Sequence, residues 1–323
     1  MIVAGIDEAG YGPLLGPLVV GCCAFRLEGA TEGEELPCLW KRLRRCVSRN
    51  RTKTGRKLHV NDSKMVYSPS FGLKELERSI LALAGASGPW CPTLDQLLDR
   101  VATGAASEAR GYHWYQPGNP EAFPFEQEAT PVQIFANALR LEMESTATHC
   151  IHLQAQVVFE RRFNQMLNAT RNKASALFSI AARHLDYLLK NFGNQNLTII
   201  CDRQGGREHY GQLLRLMFED WSLEIDCEKD GNSEYRLFRD GHVVKIVFRE
   251  KAEADCMSVA VASMLSKYLR EAMMRRFNAY WQRELPGVQP TAGYYGDGTR
   301  FLSDIDSRRK ELGITDAELV RAR

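Results

Sequence analysis

The chain opens on a short apolar run, Ile2-Val3-Ala4-Gly5-Ile6, that stops at a charged pair, Asp7-Glu8, and then at a turn built from Gly10, Gly12 and Pro13. A run this short, ending in glycine and proline, reads as a strand rather than a helix. Residues 17–27 resume the apolar pattern, and Val19, Val20, Cys22, Cys23 and Phe25 favour extended, half-buried backbone. Two strands around a glycine-rich turn predict an antiparallel pair at the start of the chain. Neighbouring side chains on a regular strand face opposite ways, so Asp7 and Glu8 serve one site only if the strand ends or bulges there. Taken alone, the pair reads as a solvated strand end.

Further along, Leu73, Leu76, Ile80 and Leu83 recur at helical spacing, as do Leu177, Ile180, His184 or Leu185, and Leu188. Helices are expected near 132–145 and 253–277, and a strand near 150–159. Residues 197–201 form a compact apolar strand that runs into Asp202, with a helix over about 210–221 and a strand near 222–227 after it. Asp240-Gly241 between two apolar stretches signals a hairpin. Residues 41–57 carry nine Lys or Arg and no acid, and read as an exposed basic loop. The stretch from Gly85 to about 130 is rich in Gly, Pro and aromatics and reads as an irregular insertion. Strands first paired and then alternating with helices imply a mixed α/β sheet with helices packed against it.

Composition narrows the function classes without selecting one. The 42 Lys and Arg against 40 Asp and Glu leave a formal charge of +2, so attraction to nucleic acid must come from local patches. Nine cysteines include no Cys-x-x-Cys pair, and no Cys/His spacing in the sequence suits a zinc site. Scattered and odd in number, they argue for a reducing cytoplasm. Nothing approaches the ~20 apolar residues needed to span a bilayer. The pattern Gly10-x-Gly12-x-x-x-Gly16 fails as a dinucleotide-binding fingerprint in its spacing, and a strand follows it where a helix is required.

The remaining acids sit where α/β proteins often place chemistry. Asp202 ends an apolar strand and is followed by Gly205 and Gly206; the plainer reading is a helix N-cap. Asp255 opens a helix whose small residues Ser258, Ala262 and Ser263 suit close approach to a sheet, with Lys267 and Arg270 one turn on. By position alone it reads as an N-cap or helix-dipole partner.

In order, these segments resemble ribonuclease HII. The opening GIDEAGYGPLLGPLVV is similar to the family's Gly-Ile-Asp-Glu-Ala-Gly-Arg-Gly-Pro start. Asn61-Asp62-Ser63-Lys64 resembles its Asn-Asp-Ser-Lys turn, and the strand into Asp202 matches its third carboxylate. ADCMSVAVASMLSKYLREAMM resembles its Asp-initiated helix, and Ala292-Gly293-Tyr294 a Gly-Tyr site near its C-terminus. The resemblance covers about half the chain, leaving insertions at 28–57 and 85–130 outside. It implies a ribonuclease H-like mixed sheet flanked by helices over residues 1–277, with a C-terminal loop and helical extension over 278–323.

The resemblance also implies an activity: a cytoplasmic, monomeric endonuclease that cuts the RNA strand of RNA–DNA hybrids with two Mg2+ or Mn2+ ions. Asp7, Glu8, Asp202 and Asp255 would be the metal ligands. Gly10, Tyr11, Gly12, Asn61, Lys64, Ser263, Lys267 and Tyr294 would bind substrate. Two departures stand out. Tyr11 replaces the arginine of the family's Gly-Arg-Gly, which helps grip a ribose 2′-hydroxyl. The gap between Asp202 and Asp255 also exceeds the family's, filled by an added helix and hairpin. Other readings are a two-metal nuclease acting on DNA or a branched substrate, and a non-catalytic nucleic-acid-binding protein.

Overall fold

In a computed structural model, which describes residues 1–29, 36–68, 70, 72–118 and 120–322, the chain forms a seven-stranded mixed sheet with helices on both faces. Its strands are β1 (Ile2–Ala9), β2 (Leu18–Leu27), β3 (Thr148–Val158), β4 (Leu197–Asp202), β5 (Ser222–Lys229), β6 (Asn232–Arg239) and β7 (His242–Arg249). They lie in the order β3-β2-β1-β4-β7-β6-β5. β1 is antiparallel to β2 and parallel to β4, and β4 is parallel to β7. A mixed sheet flanked by helices is what the resemblance of the ordered segments implied.

The continuous apolar character of β1 and β2 follows from burial on both faces. On one face Val3, Val19, Cys23 and Phe25 pack beneath a 28-residue helix, here α4 (Met257–Glu284). α1 (Lys74–Ala86) and α2 (Ala129–Ser145) complete that layer. On the other face Ile2, Ala4, Ile6, Val20 and Cys22 pack beneath α3 (Lys173–Phe192). α4 lies so close to the sheet that a methyl on Gly5 would sit 2.2 Å from the Ser258 and Val259 backbone. A methyl on Gly21 would sit 2.5 Å from the Ala262 carbonyl. Glycine on the strands and small residues on the helix make this contact possible together.

β5, β6 and β7 form a meander at the far edge. Asp230-Gly231 and Asp240-Gly241 have positive φ at both positions (53° and 74°; 52° and 79°), the backbone of tight hairpins. Asp230-Gly231 was not read from the sequence.

Three expectations need correction. The boundary at 277 falls inside α4, which runs unbroken to Glu284. The extension beyond it also folds back on the body: Arg321 donates its backbone N–H to the Leu14 carbonyl, and its side chain is buried. The segment 85–130 is not irregular throughout, since helices span Leu94–Val101 and Ala105–Ala109. Tyr112, Trp114 and Tyr115 are buried against Phe159 and Phe277, so its aromatics fill a core. The basic loop is likewise part packed: Leu43 and Val47 are buried, and Val47–Ser48 pairs with Leu58–His59. No helix among the described residues is long and apolar enough to cross a membrane.

Candidate active site

β1 and β4 are parallel neighbours, in register from Ile2 opposite Leu197 to Ile6 opposite Cys201. Their carboxyl ends therefore bring Asp7 and Glu8 beside Asp202. Asp7 is buried, and its Oδ1 accepts the Glu8 backbone N–H at 2.7 Å. Burial raises its carboxyl well above the usual range, and the charges of Glu8 and Asp202 raise it further. Glu8 is pushed up to about 8, first by burial and then by Asp202, with Lys64 opposing. Asp202 is raised by burial while accepting the Ala252 N–H at 3.2 Å.

The fourth acid of this group is Glu253, not Asp255. After β7 the chain makes a 3-10 turn, Ala252–Ala254, that directs Glu253 inward. Glu253 is buried and is pushed up to about 7 by burial first and then by the charges of Asp202 and Asp62. The Asp255 side chain is 70% exposed and faces Arg249 at 3.9 Å. The helix-opening acid favoured by the sequence thus points to solvent. The turn that reverses its direction was not visible in the sequence, although Glu253 itself stood two residues away.

Around these acids the Asn61–Lys64 turn is pinned to α4. The Ser263 hydroxyl donates to the Ser63 hydroxyl at 3.0 Å, and the Ser266 hydroxyl donates to the Asp7 carbonyl at 3.1 Å. Asp62 caps the short helix Ser63–Val66 by accepting the Lys64 N–H. Asn61 donates from Nδ2 to the Arg49 carbonyl at 3.0 Å, and the Arg49 guanidinium donates to the Ala254 carbonyl while lying 4.1 Å over Trp40. The basic loop is therefore anchored at the rim of the acidic group.

Gly10 has φ +88°, and a methyl there would meet the Pro17 carbonyl at 2.7 Å; one on Gly12 would meet nothing within 4 Å. Tyr11 lies over Gly205 in the loop after Asp202, with the Lys173 ammonium 4.9 Å above its ring. Burial and the Glu8 charge raise its hydroxyl, with Arg207 opposing. Lys173 and Arg207, neither singled out from the sequence, thus border the site beside Tyr11.

Two expected substrate residues remain. Lys267 is paired with Glu271 at 2.7 Å and sits 4.5 Å over Tyr67. Tyr294 is 52% exposed at the start of the helix Tyr295–Asp304, and its neighbour Gly293 accepts the Leu14 N–H at 2.8 Å.

The donor set fits hard divalent cations. All four acids offer oxygen. Glu8 Oε2 and Glu253 Oε2 are buried without a hydrogen-bond partner, a costly arrangement that a cation relieves. The group is not drawn tight: among the described residues, ligand atoms of three residues come within 4.8 Å of one another only at Cys22, His152 and His184.

Neither a protein-family model nor a curated protein matches the chain by sequence. Among solved structures it is similar to ribonuclease HII of Archaeoglobus fulgidus, determined with PCNA, at 15% identity and a TM-score of 0.44, covering 100% of this chain and 95% of that one. Ribonuclease H2 of Pyrococcus horikoshii gives 13% and 0.41, covering 99% and 92%. Bst ribonuclease HIII with Mn2+ gives 14% and 0.48, covering 99% and 66%. At such identity the chemistry has to be argued from this chain's own side chains.

Proposed function

We propose that the protein is a divalent-metal-dependent endonuclease that hydrolyses the RNA strand of RNA–DNA hybrids. The observation that carries this is the group of four buried or half-buried acids, Asp7, Glu8, Asp202 and Glu253, at the ends of adjacent parallel strands. Acids that raise one another and leave buried oxygens unpaired suit neither a core nor a bare phosphate-binding surface. Mg2+ or Mn2+ held by these four would supply water activation and charge neutralisation for phosphodiester hydrolysis.

The chain's own residues supply the rest. The Ala252 backbone N–H holds the Asp202 carboxylate in place, and the turn it belongs to carries Glu253 beside it. Ser266 and Ser263 on α4 hold Asp7 and the Asn61–Lys64 turn in one frame, so Lys64 lies near Glu8 and Asp202 where a backbone phosphate would sit. The basic loop, tethered through Arg49, adds salt-dependent affinity for a duplex backbone. Gly12 leaves open space for a sugar to approach the backbone. Tyr11 replaces a charged fork with a ring and one hydroxyl, which favours continuous hybrid over a lone ribonucleotide in DNA.

The test is cleavage with Mg2+ of three matched duplexes: full hybrid, one embedded ribonucleotide, and all DNA. Cleavage of the hybrid with the all-DNA duplex intact is the expected result. Cutting of all-DNA duplex at a comparable rate would replace this reading with that of a deoxyribonuclease.

A further inference from the structure

We infer that Cys22, His152 and His184 form a second metal site, specific for a soft divalent cation such as Zn2+, on the face of the sheet away from α4. Cys22 lies on β2, His152 on β3 and His184 on α3, far apart in sequence and joined only by the fold. Their ligand atoms lie within 4.8 Å of one another, and all three residues are buried. Small side-chain shifts bring one ion to about 2.0–2.3 Å from each, the usual Zn–N and Zn–S range.

The hydrogen bonds assign the ligand nitrogens. His184 Nε2 lies 2.9 Å from the Val20 carbonyl, which can only accept, so Nε2 carries the proton and Nδ1 holds a free lone pair. An imidazole tied through one nitrogen to a backbone carbonyl and free at the other is the arrangement metal-binding histidines use. His152 Nε2 is buried with no hydrogen-bond partner, a cost that a metal bond removes. Burial holds both imidazoles neutral, lowering each to about 4, the form that binds metal. Tyr187 stacks on His152 with ring centroids 4.3 Å apart and is itself 42% exposed, giving an ion a route in beneath one movable ring.

Binding releases the Cys22 thiol proton to solvent and forms a thiolate–metal bond without any change of oxidation state. A thiolate and two imidazoles suit Zn2+ or Co2+, whereas the oxygen-only acidic group suits Mg2+ or Mn2+. An ion here ties the edge strand β3 and the helix α3 to the centre of the sheet.

The experiment is a Co2+ titration of the full chain under a thiol-free reductant, with saturating Mg2+ to occupy the acidic group. One Co2+ per chain with a near-ultraviolet sulfur-to-cobalt charge-transfer band, displaced by Zn2+, is expected. Cys22→Ala should lose the band while cutting nucleic acid as wild type does. His152→Gln, a second variant should Cys22→Ala fold poorly, should weaken Co2+ binding by more than about tenfold. No thiolate band in wild type, a band that persists in Cys22→Ala, or unaltered affinity in His152→Gln would each overturn the site.

Discussion

Glu253 is buried beside Asp202, whose charge raises it, on a turn whose next acid, Asp255, faces solvent beside Arg249. The two neighbouring acids should therefore behave very differently. Glu253→Gln keeps the shape and removes the charge. It is expected to lower hybrid cleavage by about a thousandfold, roughly 4 kcal/mol of transition-state stabilisation. Asp255→Asn should stay within a few-fold of wild type. Steady-state kcat/KM for both variants decides it, and the reverse ranking would restore Asp255 as the ligand.

Asp7, Glu8 and Glu253 all have carboxyls raised by burial and mutual repulsion, Glu8 to about 8 and Glu253 to about 7. A group raised in the folded state stabilises fully below its unfolded value and loses that contribution as pH rises through the folded one. Metal-free protein should thus lose stability between about pH 4.5 and 8, and Mg2+ should restore more of it at pH 8 than at pH 5. Asp7→Asn should abolish cleavage yet raise the metal-free melting temperature at pH 8. Thermal unfolding in chelator and in Mg2+ across that range measures both; a Mg2+ shift independent of pH would contradict the assignment.

Tyr11 offers one hydroxyl where an arginine would offer a charged fork. Losing charge-assisted contacts worth about 1.5–3 kcal/mol each weakens discrimination for a lone ribonucleotide by one to two orders of magnitude, roughly. Tyr11→Arg is expected to shift the ratio of single-ribonucleotide to hybrid cleavage upward. Wild-type preference for the single ribonucleotide would remove Tyr11 as the selectivity element.

Gly10 and Gly12 separate folding from ligand approach. Gly10→Ala forces a side chain onto φ +88° and against Pro17, so a destabilisation of about 1–3 kcal/mol is expected in urea unfolding. Gly12→Ala meets open space and should leave stability unchanged while raising KM for hybrid. Equal stability losses in the two variants would refute this division.

How far the site could be read in advance depended on how local each signal was. β1, β2 and the strand into Asp202 are continuous apolar runs, and parallel pairing of β1 with β4 suffices to bring their terminal acids together. Glu253 was hidden because a single 3-10 turn sets its direction, and no periodicity marks one turn. Tyr112, Trp114 and Tyr115 were read as irregular because only Phe159 and Phe277, distant in sequence, make that stretch a core. The Cys22, His152 and His184 group escaped for the same reason.

Those two histidines give a prediction in acid. Held neutral with values near 4, they contribute stability that is complete above about pH 6.5 and lost as pH falls toward 4. The loss is at most about 3 kcal/mol per imidazole. The acidic group titrates in the opposite sense, so the comparison is between wild type and His152→Phe under chelator. Wild type should lose more stability than the variant between pH 6.5 and 4.5; parallel curves in urea unfolding would refute it.

The order in which β1 finds its neighbours bears on how the chain matures. β2 follows at once and closes one side, but the other side waits for β4, which arrives only with residues 197–202. Until then a growing chain carries the free margin of an apolar strand, with Asp7 and Glu8 at its tip. An unpaired margin of this kind invites pairing with other chains, and distant partners slow its closure. Synthesis therefore passes through a long interval in which this strand needs shielding, and the acidic centre comes together only after most of the polypeptide has been made.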